Sequence, residues 1–294
     1  MSYVKPAELA TRMVDAGESK VYLSTRDTLI RAYMAGAILA LAAAFAVTVS
    51  TQTGQPLLGA LLFPVGFCML YLLGFDLLTA VFTLVPLAWL DKRPGVTFGR
   101  MMRNWGLVFI GNFAGALTTA LFVAIYLTYA FSADAGAIGE ALQKIGENRT
   151  VGYSAYGAAG MLALFIRGVM CNWMVSTAAV GAMLSDSLPG KVIAMWMPIL
   201  VFFYLGFEHS VVNMFLFPIG LMLGGDFTVV DYLLWNEIPT VLGNLVGGLA
   251  LVGIVIYVTH GRTRPSRSRA TKKSSTTTED IAVVERTDTK QAAQ

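Results

Sequence analysis

Along this chain, long apolar blocks alternate with short polar seams: residues 32–50, 104–133, 168–185, 192–207 and 238–259 contain no Asp, Glu, Lys or Arg. A helix needs about 20 mostly apolar residues to cross a bilayer, so the blocks predict spans. Span 1 is 32–50, and TQTGQP at 51–56 turns the chain into span 2 at 57–90. Spans 3 to 6 follow at 104–130, 156–184, 192–223 and 238–259, with a polar loop from the end of span 3 through Val151. Two spans are interrupted, span 2 at Gly74-Phe75-Asp76 and span 5 at Gly206-Phe207-Glu208-His209. Before span 1, residues 5–20 place Leu9, Met13 and Ala16 on one helical face behind Pro6, which predicts a short amphipathic helix lying on the membrane.

Composition supports this pattern. The 294 residues are 56% hydrophobic and only 13% charged, about half the charge of an average soluble domain. Lys and Arg then orient the chain. Five fall in 1–31, four in 91–103, one at Lys191 and eight in 262–294, whereas only Lys144 and Arg149 fall on the other side. By the positive-inside rule both termini are cytoplasmic, and the expected location is the inner (plasma) membrane of a bacterium. Residues 1–31 have no apolar signal region, so span 1 is expected to act as the insertion signal. The expected division is a cytoplasmic amphipathic segment at 1–31, a six-span pore domain at 32–260 and a disordered basic tail at 261–294. The tail is too polar to form a core, and its cations suit lipid headgroups better than nucleic acid. Cys68 and Cys171 lie in apolar runs and read as free thiols. The two histidines have no metal-ligand spacing, and no cofactor is expected.

The interruptions repeat. Gly74-Phe75-Asp76 and Gly206-Phe207-Glu208 are 132 residues apart, as are Gly111-Asn112-x-x-Gly115 and Gly243-Asn244-x-x-Gly247. Two motifs in one order at one offset indicate a duplicated unit of three spans, and an odd number of spans inverts the second copy. The predicted fold is all-α: six transmembrane helices in two inverted three-helix repeats, aquaporin-like, with helices 2 and 5 interrupted. Interrupted helices in matching positions of two inverted halves build permeation sites near the midplane. A carboxylate there costs about 2.5–3.5 kcal/mol or more, so Asp76, Glu208 and His209 are functional candidates. The structural alternative has the carboxylates capping the broken helices.

GFEHSVVNMF at 206–215, RGVMCNW at 167–173 and GFDLLTAVF at 74–82 resemble the formate/nitrite transporter family, and the resemblance covers about residues 1–260. It implies a homopentamer with one pore per protomer, passing small monovalent anions of weak acids such as formate or nitrite. By matching position, His209 would be the central pore histidine, Glu208 its neighbour and Thr79 the threonine across the pore. Asn172 and Asn244 would be pore-side asparagines. Phe63 and Phe202 would form one apolar constriction, and Leu77, Leu78 and Val175 the other. The chain departs from the family pattern at Leu78, Ala80 and MVSTAAV (174–180). Tyr156 also replaces the lysine expected at the head of span 4, and either Arg149 or Lys144 is the candidate replacement for that charge.

Chemistry independently points to His209. A bare anion loses far more hydration on entering an apolar constriction than its neutral acid does, so passage needs a local hydrogen donor. Histidine exchanges protons near neutrality and can share one through a charge-assisted hydrogen bond. Thr79 adds a hydroxyl, while Asn172, Asn213 and Asn244 offer amides to an anion or to unwound backbone. Arg167, within span 4, is expected in a structural pair at a subunit interface. A neutral-solute pore of the aquaporin type is the competing reading, but it predicts paired Asn-Pro-Ala loops that the sequence lacks. An intramembrane enzyme would need a nucleophile with a base or a metal cluster, and no such motif occurs.

Overall fold

The computed structural model describes residues 3–261, and within them the regular structure is helical, with one isolated bridge between Tyr3 and Ser185. The tail expected at 261–294 lies, beyond Gly261, outside the described residues. The helices in order are α1 (Pro6–Val21), α2 (Thr25–Thr53), α3 (Pro56–Leu62), α4 (Pro64–Leu72), α5 (Leu78–Leu90), α6 (Phe98–Leu127), α7 (Gly136–Asn148), a single turn α8 (Val151–Ser154), α9 (Gly157–Met183), α10 (Leu188–Tyr204) and α11 (Ser210–Met222). A last stretch, Val229–His260, comprises α12 (Val229–Tyr232), α13 (Ile238–Gly248) and α14 (Val255–His260), joined through π-helical turns at Leu233–Glu237 and Leu249–Ile254. Among the described residues, four helices are long and apolar enough to cross a membrane: α2, α6, α9 and the Val229–His260 stretch.

Glycines set the main crossings. A Cβ on Gly36 would lie 2.1 Å from the Asn112 carbonyl oxygen, and one on Gly115 1.9 Å from that of Tyr33, so α2 and α6 touch backbone to backbone. The same holds for α9 against α13, where a Cβ on Gly247 would lie 2.1 Å from the Val169 oxygen and one on Gly243 2.6 Å from that of Phe165. Small residues at such crossings are how helices associate without a hydrophobic drive.

Both interruptions are built alike. α4 ends and Gly74 turns left-handed (φ 73°), its amide donating to Tyr71 and that of Phe75 to Leu70. Likewise α10 ends at Gly206 (φ 65°), whose amide donates to Phe203 while that of Phe207 donates to Phe202. These are Schellman caps, and they release the chain into three non-helical residues, the last of them extended (Leu77 and His209), before the next helix starts. That next helix is 13 residues long in each case, Leu78–Leu90 and Ser210–Met222, with a proline at Pro86 and Pro218.

Three expectations change. α1 presents Leu9, Met13 and Val14 to the protein interior, and a Cβ on Gly17 would lie 2.1 Å from the Leu84 oxygen, so its apolar face is packed on protein and not laid on lipid. The polar loop after span 3 contains α7, with Leu142 fully buried. The second span is also broken at Phe63, where Pro64 starts α4 as a first-turn proline.

Candidate functional site

The backbone of each interruption is held by one asparagine. Asn112 Oδ1 accepts from the Leu78 amide (2.9 Å), and its Nδ2 donates to the carbonyls of Ala32 (2.8 Å) and Asp76 (2.9 Å). Asn244 Oδ1 accepts from the Ser210 amide (3.0 Å), and its Nδ2 donates to those of Gly168 (2.8 Å) and Glu208 (2.9 Å). Unwound backbone at membrane depth has no water to satisfy it, and these amides supply the missing partners. Both hydrogens of Asn244 are therefore committed to backbone. Asn172 is similar: its Nδ2 donates to the carbonyls of Thr79 (3.1 Å) and Asn244 (2.6 Å), and its Oδ1 accepts from Ser176 (3.1 Å).

The two carboxylates do not cap helices. Asp76 is buried and pairs with Lys20, the cation in the last turn of α1. Glu208 is fully buried and collects four donors: Tyr153 Oη at 2.8 Å on Oε1, and on Oε2 Asn213 (3.0 Å), Asn236 (3.2 Å) and Arg149 Nη1 (3.3 Å). Arg167 Nη1 donates to Tyr153 Oη (2.9 Å) and its guanidinium lies 5.7 Å from that ring's centroid. That partner lies within the protomer, and Arg167 is otherwise exposed on the protomer surface. Tyr156, exposed at 75%, makes no contact with Glu208, whereas Arg149 does.

His209 caps α11, with Nδ1 accepting from the Val212 amide (3.2 Å). With Nδ1 an acceptor, the hydrogen of the neutral ring sits on Nε2, which is 3.3 Å from Thr79 Oγ1. Thr79 then accepts from the ring and keeps its own hydroxyl hydrogen to offer. The imidazole, 2% exposed, stacks on Phe202 with centroids 5.6 Å apart. Phe202 meets Phe63 edge to face at 5.6 Å, and Phe63 stacks on Phe203 at 3.9 Å. A cavity of about 420 Å³ opens onto this group and ends on Phe202, Phe203 and His209, with Lys144 and Arg149 in its wall. Leu77, Leu78 and Val175 are fully buried in the central apolar cluster.

His209 and Phe202 thus line the cavity, while Phe63 and Thr79, both fully buried, lie behind them against Phe202 and His209, and Asn172 stands behind Thr79 through its carbonyl. Asn213 serves Glu208 and Asn236 (2.6 Å). Sequence reading did not find Phe203, Tyr153, Asn236 or the pairing of Lys20 with Asp76. Asn236 had a signal, since Asn236-Glu237 is a polar pair directly before an apolar run.

The formate/nitrite transporter family profile matches residues 7–258. A probable formate transporter of Methanothermobacter thermautotrophicus is 32% identical over 277 residues, covering 88% of this chain and 98% of that protein. The formate channel FocA of Escherichia coli (strain K12) is 28% identical over 283 residues, covering 87% of this chain and 94% of that one. A solved pentameric formate channel with formate bound superposes with a TM-score of 0.66 at 25% identity, covering 80% of this chain and 97% of that chain.

Proposed function

This chain belongs to the formate/nitrite transporter family, and from that premise we propose that it is a membrane channel for small monovalent weak-acid anions, formate or nitrite, in which His209 aids passage by sharing a proton. The observation that carries the reading is the cavity lined by His209, Phe202 and Phe203, with Thr79 Oγ1 3.3 Å from His209 Nε2. An anion arriving there meets the Nε2 hydrogen and the Thr79 hydroxyl as donors, and it supplies the counter-charge for a second proton on the ring, which enters at Nδ1 at the cost of the bond from the Val212 amide. The amides of Asn172, Asn213 and Asn244 act one layer back, as supports for backbone and carboxylate. Phe63, Phe202 and Phe203 exclude water on the cavity side of the histidine, while Leu77, Leu78 and Val175 do so on the other.

The matched caps, asparagines and 13-residue helices support six spans in two inverted halves. The solved pentameric relative supports a homopentamer. The Lys and Arg bias supports cytoplasmic termini in a plasma membrane, with 1–31 and 261–294 flanking a pore domain at 32–260. The test is parallel uptake of formate, nitrite, hydrosulfide, lactate and chloride by proteoliposomes, with and without an imposed pH gradient. Saturable formate or nitrite flux that responds to the gradient, with little chloride flux, is expected. Flux of neutral solutes such as glycerol without anion flux would favour the aquaporin-type reading instead.

A further inference from the structure

On the reading that the chain passes small anions, we infer that Arg149 is a recruiting fork in the vestibule and that it selects anions carrying two oxygens on one centre. Arg149 follows α7 as its C-terminal cap, and its side chain lines the cavity that ends on His209. One hydrogen, on Nη1, reaches Glu208 Oε2 at 3.3 Å, the longest of the four bonds that carboxylate accepts. Among the described residues, Nη2 and Nε of Arg149 donate to no protein acceptor, and the side chain is 23% exposed. Nη2 lies 4.0 Å from the position a Cβ would take on Gly206, so the guanidinium sits beside the turn of the interruption at ordinary contact distance.

Glu208 does not depend on Arg149 alone. Tyr153, Asn213 and Asn236 hold its two oxygens, and Arg167 backs the Tyr153 hydroxyl at 2.9 Å. The guanidinium can therefore turn an edge toward an incoming anion while the buried carboxylate keeps three donors. Two parallel N–H groups match the O–X–O edge of a carboxylate or of nitrite, while hydrosulfide or a halide engages such a fork as a point charge. The other cation of the wall, Lys144, is 68% exposed and tied to Glu147 at 3.3 Å, and an ammonium offers no planar fork.

The variant that isolates the fork is Arg149→Lys, which keeps the charge beside Glu208 and removes the paired donors. Initial uptake rates of formate, nitrite and hydrosulfide are measured against concentration in proteoliposomes of the full chain and of this variant, with assembly checked by mass in detergent. Losing one charge-assisted hydrogen bond is expected to raise the half-saturation concentrations of formate and nitrite about five- to tenfold, leaving their maximal rates nearly unchanged and hydrosulfide within about twofold. Arg149→Gln, which also removes the charge, is expected to weaken all three anions. An Arg149→Lys protein that matches the parent for every anion, or that weakens all three equally, overturns the fork. If Arg149→Gln does not assemble, Arg149→Lys decides alone. A parent that carries none of these anions overturns the channel reading itself, and this inference with it, which is distinct from a working parent with an indifferent variant.

Discussion

The two interruptions differ where their backbones do not. Both carry a left-handed glycine, a Schellman cap, a buried carboxylate and an asparagine clamp, and both open a 13-residue helix. After the carboxylate, one has Leu77 and the other His209; one carboxylate meets Lys20, while the other collects four donors. The two interruptions thus share a backbone arrangement and differ in chemistry. A clamp that satisfies broken backbone is needed twice at membrane depth, whereas a hydrogen donor that meets the anion is needed once.

If the clamp is purely structural, its two copies carry equal weight. Asn112→Leu and Asn244→Leu each leave one buried N–H and one buried carbonyl, that of Asp76 or Glu208, without a partner, at about 1–3 kcal/mol apiece, and strip a second bond from the helical carbonyl of Ala32 or Gly168. Each is expected to lower stability by about 3–5 kcal/mol, read from thermal unfolding of the purified protein in detergent. A tolerant Asn244→Leu beside a failing Asn112→Leu would break the equivalence.

The carboxylates should differ. Glu208→Gln sets an amide N–H against donors on a side chain that four groups address, and about 2–3 kcal/mol is expected from the mismatch. Asp76→Asn has one partner to lose, Lys20, and about 1–2 kcal/mol is expected. Equal losses would mean that the Tyr153–Asn213–Asn236 cluster adds nothing.

The smallest effect is at the attachment of α7. The Asp226 amide donates to Glu147 and, with Lys144 alongside, holds its carboxyl below the ordinary glutamate range. A carboxyl depressed in the folded state contributes stability above the unfolded value of about 4.3 and loses it as pH falls through the folded value. The parent should therefore exceed Glu147→Gln slightly at pH 7, by about 0.3 kcal/mol as for a solvent-screened pair, and the gap should close as pH falls through the folded value. A gap that widens in acid would reverse the sign of this attachment.

What the sequence made legible was local. A glycine followed two residues later by a carboxylate inside an apolar run marks an interruption, because the whole signal lies within a few positions of the chain, and it occurs twice at an offset of 132 residues. The pairings that complete the site join residues far apart in sequence, Lys20 to Asp76 and Arg149 to Glu208, and nothing near either residue announces its partner. Asn244 shows the other limit. Its position was readable, but an amide that faces an anion and one that clamps backbone look identical until the carbonyls around it are known. α7 stayed hidden because its apolar face is narrow, with Leu142 its one fully buried large residue.

The central claim is that the histidine following Glu208 shares a proton and does more than close a helix. His209→Asn tests it most directly, because asparagine is itself a good helix N-cap and keeps a neutral donor near Thr79, yet cannot exchange a proton. In proteoliposomes across a pH series, the account predicts that this variant assembles as the parent does, loses the pH response of formate or nitrite flux, and discriminates less against chloride and nitrate, whose acids are strong. A His209→Asn channel with the parent's flux, selectivity and pH profile would contradict proton sharing and leave His209 as a cap and a hydrogen-bond donor.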